Sequence, residues 1–196
     1  MPRIDAATVA EHRAQQRDAL LDAAEELLLA DGYEALDFRA LGARTGLARN
    51  SVYRYFRSRD ELVAELCERG MPAWLAEIDR ALATERTAAG MAAAYVRVQL
   101  EMVAAGRHRL AQALAHAPLP AETVAAIHAL PARAAARLEE ALGAVGHPRP
   151  RVAAQLATGL LNGAIVLLHD DEPPPTITAI TTAAARRAVA EAAKEA

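Results

Sequence analysis

Between Asp37 and Arg59 the sequence places six arginines, at positions 39, 44, 49, 54, 57 and 59, against the single acid Asp37. Asn50, Tyr53 and Tyr55 are interleaved with them. Guanidinium forks and planar amides read base edges in the major groove of DNA, while cations and hydroxyls hold phosphates. The chemistry on offer is recognition of a polyanion, not the making or breaking of a bond. Overall charge does not supply this reading, because the formal net charge is −3 and residues 1–62 hold nine Arg against eleven Asp and Glu. The basic character is a confined stripe, with the acids of this half concentrated just before it. A solvated face is the alternative for any such stripe, so the elements that carry it have to decide.

From Arg13 to Ala30 the apolar positions Leu20, Ala24, Leu27 and Leu28 follow the helical period, and Gly32 supplies a left-handed stop. Asp37 can cap a short helix reaching Arg44 or Thr45, with Phe38 and Leu41 facing inward and Gly42 permitting close approach of a crossing helix. Gly46 breaks it, and a second short helix, Arg49 to Tyr55, puts Val52 and Phe56 on one face. Its other face carries Arg49, Asn50, Tyr53 and Arg54. Ser58 followed three residues later by Glu61 is a capping box, which predicts a longer helix to Arg69 that ends or bends at Gly70-Met71-Pro72. The pair of short helices around a glycine turn is a helix-turn-helix, and both apolar faces are accounted for within it.

The run from Leu20 to Leu66, with LDFRALGARTGLARNSVYRYF at its centre and Ser58-Arg59-Asp60-Glu61-Leu62 after it, resembles the TetR family of transcriptional regulators. The resemblance implies an all-α chain in which an N-terminal three-helix helix-turn-helix domain, residues 1–58, precedes a helical ligand-binding and dimerisation domain, residues 59–196. It places the helix bearing Tyr53 in the major groove, with Tyr53 against backbone and bases and Arg59 gripping a phosphate. It implies Arg39, Arg49 and Asn50 as base contacts, and Thr45, Ser51 and Tyr55 as phosphate contacts. Three positions depart from the family pattern. Ala48 stands where Ser or Thr often caps the recognition helix, Arg57 where Pro is common, and Asn50 where Gly is frequent. Asn50 adds an amide able to pair with adenine.

After Pro72 the chain reads as helices at about 73–84, 88–105, 107–116, 120–145, 150–168 and 176–194, with no competing strand pattern. Pro131 should kink or split the fourth of these. Gly159 and Gly163 lie one turn apart inside a helix, each at a cost of up to about 1 kcal/mol relative to Ala. Close approach of another helix would compensate, either across a two-fold axis with Leu156, Leu160, Ile165 and Leu167 nearby, or within one subunit. The family resemblance favours the homodimer. It also implies a cavity for a small-molecule effector, for which Trp74, Met91, Tyr95, Gln99, Met102, His108 and His128 are the candidate lining residues. Only Trp74 and Tyr95 of the seven aromatic residues follow Phe56, so an aliphatic effector fits better than a planar cation held between rings.

The rest of the sequence removes rival classes. No HExxH, P-loop, GxGxxG or GxSxG occurs, so neither an enzyme nor a cofactor is expected. His169-Asp170-Asp171-Glu172 reads as solvated charge, and His108 and His116 are eight residues apart, too far to share an ion. No metal is expected. Cys67 is the only cysteine, no uninterrupted apolar run reaches the length of a membrane span, and no signal peptide is evident, so a soluble cytoplasmic protein is expected. The expected partners are double-stranded operator DNA, a small effector and a second copy of the chain. Repression is the sign of regulation the resemblance suggests; activation, or DNA binding without a ligand, is the alternative.

Overall fold

The computed structural model describes residues 6–107, 109–114, 117–168 and 174–194, and among these every regular element is helical. They are α1 (Ala6–Asp31), a single 3-10 turn (Tyr33–Ala35), α2 (Phe38–Thr45), α3 (Arg49–Val52), α4 (Arg59–Ala83), α5 (Ala88–Ala104), α6 (Arg109–Leu114), α7 (Ala121–Ala144), α8 (Pro150–Leu168) and α9 (Pro174–Lys194). The chain divides into two compact units, one drawn from Met1–Arg69 and Arg109–Ile127, the other from Gly70–His108 and His128–Ala196.

In the first unit, α1 turns Leu20, Leu21, Ala24, Leu27 and Leu28 inward, where they meet Leu36, Phe38, Leu41, Val52 and Phe56 from the helix-turn-helix and Leu62, Val63 and Leu66 from α4. Leu114 of α6 completes this core. The helix stops at Gly32, whose φ of 80° is open to glycine without a Cβ clash, and the Gly32 amide donates to the Leu28 carbonyl at 3.1 Å.

In the second unit α5 packs on α8 and α9, and α8 on α9. The buried alanines Ala92, Ala93, Ala153, Ala154, Ala157 and Ala185 let these backbones approach, with Tyr95, Val96, Leu100 and Val189 buried on the same helices and Leu138 and Leu142 buried on α7. His147, buried in the turn before α8, ties that turn to α9: its Nδ1 accepts the Arg149 amide at 3.1 Å, so its Nε2 donates to the Val189 carbonyl, also at 3.1 Å.

Two helix bounds are corrected, and one of the two alternatives at Pro131 is removed. The helix from residue 59 does not end at Gly70-Met71-Pro72 but runs on to Ala83, and α7 passes through Pro131 without splitting. Both prolines are exposed, and the opposite faces are committed to burial by Met71, Leu75, Ile78 and Leu82 in α4, and by Leu130, Ala134, Leu138 and Leu142 in α7. Tertiary packing outweighs the lost hydrogen bond at each ring. The helix expected over Arg49–Tyr55 is α-helical only to Val52 and then tightens, with Tyr55 donating to the Val52 carbonyl at 2.9 Å. Finally, one helix among the described residues, α8, is long and apolar enough by composition to cross a membrane, with a mean hydropathy of 1.5. Counting uninterrupted apolar residues missed it because Gln155 and Asn162 break the run without lowering the average far. Its inward stripe of Ala153, Ala157, Leu161 and Ala164 is buried in the second unit.

Candidate nucleic-acid interface

The first unit builds a polar surface from the capping of two short helices. The Asp37 carboxylate accepts the amides of Arg39 at 2.6 Å and Ala40 at 2.8 Å, starting α2. Those amides, Ala40 foremost, together with the nearby Arg39 and Arg49 charges, hold its pKa below the ordinary carboxylate value. α2 ends at Gly46 in the left-handed region with φ 71°, and the Leu47 amide then folds back to the Gly42 carbonyl at 2.9 Å. A Cβ on Gly42 would lie 2.5 Å from the Leu47 carbonyl oxygen, so the expected close approach is backbone on backbone. α3 starts at Ala48, which offers its helix no side-chain cap.

On this scaffold Arg39, Arg49, Asn50 and Tyr53 are exposed together, while Thr45, Ser51, Tyr55 and Arg59 are half-buried. Tyr53 is fixed rather than free: its ring meets Phe38 edge-on at 4.7 Å and 67°, yet 46% of the residue stays exposed. Arg49 lies along it, with Nη2 donating to the Tyr53 hydroxyl at 3.4 Å. Arg39, Arg49 and Arg54 make no ion pair among the described residues. Arg44, by contrast, pairs with Asp31 at 3.7 Å. The Thr45 hydroxyl donates to the Leu41 carbonyl at 2.8 Å.

The start of α4 differs in detail from the expected capping box. Glu61 donates its amide to the Ser58 hydroxyl at 3.1 Å, but its carboxylate accepts the Arg57 amide at 2.6 Å, one residue earlier than the reciprocal pattern requires. That bond and the Arg57 guanidinium lower the Glu61 pKa. Arg59 lies over the Tyr33 ring at 4.0 Å and reaches the Tyr33 carbonyl at 3.5 Å. The Tyr33 hydroxyl in turn donates to Asp60 at 3.2 Å. Burial, ahead of the smaller opposing effect of Arg59, raises the Tyr33 pKa.

The sequence reading overlooked a second group of residues behind the interface. Arg13 and Arg17 of α1 donate to the carbonyls of Arg54 at 3.3 Å and Tyr55 at 2.8 Å, and Arg17 also forms a two-bond ion pair with Glu65 of α4. Nothing local signals this, since the partners are 38 to 48 residues apart. Cys67 is half-buried against this core, its thiol pushed up to about 11 by burial.

In the second unit, Met91, Tyr95, Gln99 and Met102 are all buried on α5, Trp74 is half-buried and His128 is exposed; His108 lies outside the described residues. The Tyr95 hydroxyl sits 3.3 Å from that of Thr158, which donates to the Ala154 carbonyl, and Gln99 donates to the Tyr95 carbonyl at 3.2 Å. A groove of about 590 Å³ runs elsewhere on this unit, between α5 and the start of α9, with Arg97, Thr178, Thr182 and Arg186 among its walls. On α8, Leu156, Gly159, Gly163 and Leu167 are exposed and Leu160 is half-buried. A Cβ on Gly159 or Gly163 meets nothing within 4 Å, so these glycines do not serve close packing inside the chain. Val152 and Val166, not singled out from the sequence, extend the same exposed stripe, and Ile180 of α9 is exposed to 63%. Among the described residues no three His, Cys, Asp or Glu side chains are grouped to hold a metal, and the charged residues named in His169-Asp170-Asp171-Glu172, with His116, lie outside them.

Residues 20–66 match the family described as bacterial regulatory proteins, tetR family. No curated protein matches the chain by sequence. Among solved structures, a TetR-family transcriptional regulator from Streptomyces coelicolor superposes with a TM-score of 0.74 at 19% identity, covering 98% of each chain. The transcriptional regulator FadR from Bacillus subtilis, solved in complex with stearoyl-CoA, gives 0.67 at 17% identity over 88% of this chain and 97% of its own. AibR, solved with isovaleryl coenzyme A and operator DNA, gives 0.61 at 20% identity over 85% and 96%.

Proposed function

We propose that this chain, which carries the N-terminal segment of the TetR family of bacterial regulatory proteins on a TetR-like fold, is a ligand-responsive repressor that binds a palindromic operator as a homodimer. The observation that carries the reading is the surface of α2 and α3. Phe38, Leu41, Val52 and Phe56 are fully committed to the core, which leaves Arg39, Arg49, Asn50 and Tyr53 side by side in solvent with no ion pair among the described residues to absorb the charge. Arg39, Arg49 and Asn50 are the proposed base readers. Thr45, Ser51, Tyr55 and Arg59 are the proposed phosphate contacts, and Tyr53 packs between the two sets.

The homodimer is supported by α8. Val152, Leu156, Gly159, Gly163 and Val166 recur at intervals of three and four residues, an exposed apolar stripe of the width a second helix covers. The two glycines offer the open backbone that close helix approach uses. A second copy presenting the same stripe about a two-fold axis covers it without leaving an unmatched surface. Two such copies present two recognition helices, and half-sites about 34–36 Å apart give the operator its palindrome.

Effector binding belongs to the second unit in this reading, with residues 1–58 reading DNA and residues 59–196 sensing and dimerising. Trp74, Met91, Tyr95, Gln99 and Met102 are the proposed contacts, with His108 and His128 as further candidates. The acyl thioesters held by FadR and AibR support an effector with an aliphatic portion. An effector releases DNA only through its differential affinity for the bound and released states. α4, which like α7 has residues in both units, also carries Glu65 beside the recognition segment and is the element through which such a preference is passed on.

Substituting Arg49→Ala or Tyr53→Ala tests the interface, since both side chains are exposed and neither helps to fill the core. Operator affinity should fall at least about tenfold for Arg49→Ala, one bidentate base contact. Sedimentation should be unchanged in both. Unchanged operator affinity in the two variants would remove the residue assignment.

A further inference from the structure

α3 is four residues long, far too short to hold its own direction, so neighbours must set the angle at which its exposed face is presented. Its N-terminal side is set by the backbone contact at Gly42. Its C-terminal side is set by α1. The Arg17 guanidinium lies 4.6 Å from the centre of the Phe56 ring, donates from Nη1 to the Tyr55 carbonyl at 2.8 Å, and turns its other edge, Nε and Nη2, onto the two oxygens of Glu65. Arg13, one turn earlier on α1, donates to the Arg54 carbonyl at 3.3 Å and lies 5.9 Å from the Tyr55 ring centre. The carbonyls that close the recognition segment are thus held by α1 arginines, and the stronger of these is itself locked to α4.

We propose that Arg17 and Glu65 form a positioning pair that makes the orientation of α3 follow that of α4, so that sequence-specific DNA binding depends on a bridge that contributes no base contact of its own. This rests on the DNA-binding reading above. The guanidinium is required by geometry. One group must donate in two directions, to a carboxylate along one edge and to a carbonyl from its remaining nitrogen, and a planar fork does so from fixed positions. A lysine ammonium keeps the charge but cannot span both acceptors. Of the eleven acids in residues 1–62 none is used here; the partner comes from α4, a helix that continues from this unit into the next.

The charge logic separates positioning from electrostatics. Arg17→Lys leaves net charge unchanged, and Glu65→Gln removes a negative charge, which by itself strengthens attraction to DNA. A positioning role predicts the opposite for the specific complex, because base contacts need α3 at its proper angle while non-specific binding needs only the charges. The test uses the full-length chain, the operator recovered by selection from random DNA, and a scrambled duplex of equal length. Both variants should bind the operator at least about tenfold more weakly, within the range typical of coupling between sites. Binding to the scrambled duplex at low salt should be unchanged for Arg17→Lys and equal or tighter for Glu65→Gln. The double variant should cost no more than the larger single loss. Operator affinity that is unchanged or improved in Glu65→Gln would overturn the proposal. So would a parallel loss on both duplexes, or loss of folding in both variants by circular dichroism, which would make the bridge a stability element only. If the unmodified protein selects no sequence, it is the DNA-binding reading that fails.

Discussion

Replacing Gly42 by alanine introduces one methyl group where the turn crosses α2. The new Cβ would sit 2.5 Å from the Leu47 carbonyl oxygen, 0.9 Å inside the 3.4 Å at which ordinary contact begins (3.4 − 2.5), and 3.5 Å from the Arg49 amide. Both neighbours are backbone, so no side chain can swing away, and the α2–α3 turn has to open. Overpacking of this kind costs about 1–3 kcal/mol. Alanine recovers about 0.5–1 kcal/mol of the conformational freedom that glycine loses in a helix, which leaves a net destabilisation of up to about 2.5 kcal/mol. Gly70, exposed within α4 with nothing near its Cβ position, is the internal control, and Gly70→Ala should stabilise by up to about 1 kcal/mol. Urea unfolding followed by far-ultraviolet circular dichroism separates the two, with midpoints moving in opposite directions. Because the strain falls between α2 and α3, Gly42→Ala should also weaken operator binding under conditions where it remains folded. Gly42→Ala as stable as Gly70→Ala would refute the reasoning.

Ala48→Ser supplies the hydroxyl cap that α3 lacks, and should raise the urea midpoint by the equivalent of about 1 kcal/mol without weakening DNA binding. Asp37 and Glu61 both have depressed pKa values in the folded chain, so their contribution is fully present above the unfolded carboxylate values of about 4 and is lost as pH falls through their lower folded values. Stability of the first unit, read as urea midpoint against pH, should therefore drop in that acid window, and Asp37→Asn with Glu61→Gln should flatten the profile. Leu156→Asp and Leu167→Asp place charge on the exposed stripe of α8 and should shift sedimentation equilibrium to the monomer while leaving helix content unchanged; a persisting dimer would move the interface elsewhere.

The helix-turn-helix was legible because its signals are local. A cap at Asp37, a stop at Gly46 and a close approach at Gly42 each involve residues within a few positions of one another, and each is realised in the structure, although the backbone nearest Gly42 is the turn at Leu47 rather than a crossing helix. Where the sequence misled, distant packing decided. Pro72 read as the end or a bend of one helix and Pro131 as a kink or split of another, yet both helices continue, with these prolines exposed and the opposite faces of α4 and α7 buried. The bridge from Arg17 to Glu65 spans 48 positions and leaves no periodic trace, and the same holds for Leu114 of α6 entering the core of the first unit. Gly159 and Gly163 were visible as a puzzle from their cost in a helix, but only the open space around them argues against close packing within the chain. The second unit yielded little about the proposed effector because apolar helices of alanine and leucine specify close packing without specifying what else is admitted.

The most direct measurement is selection of bound sequences from a random duplex pool by the purified full-length protein, repeated with Arg49→Ala. The account predicts enrichment of a palindromic sequence whose half-site centres lie one helical turn, about 10–10.5 base pairs, or a multiple of it apart, and loss of that enrichment in the variant. A pool that remains random after repeated rounds, or one enriched equally by the Arg49→Ala protein, would contradict it.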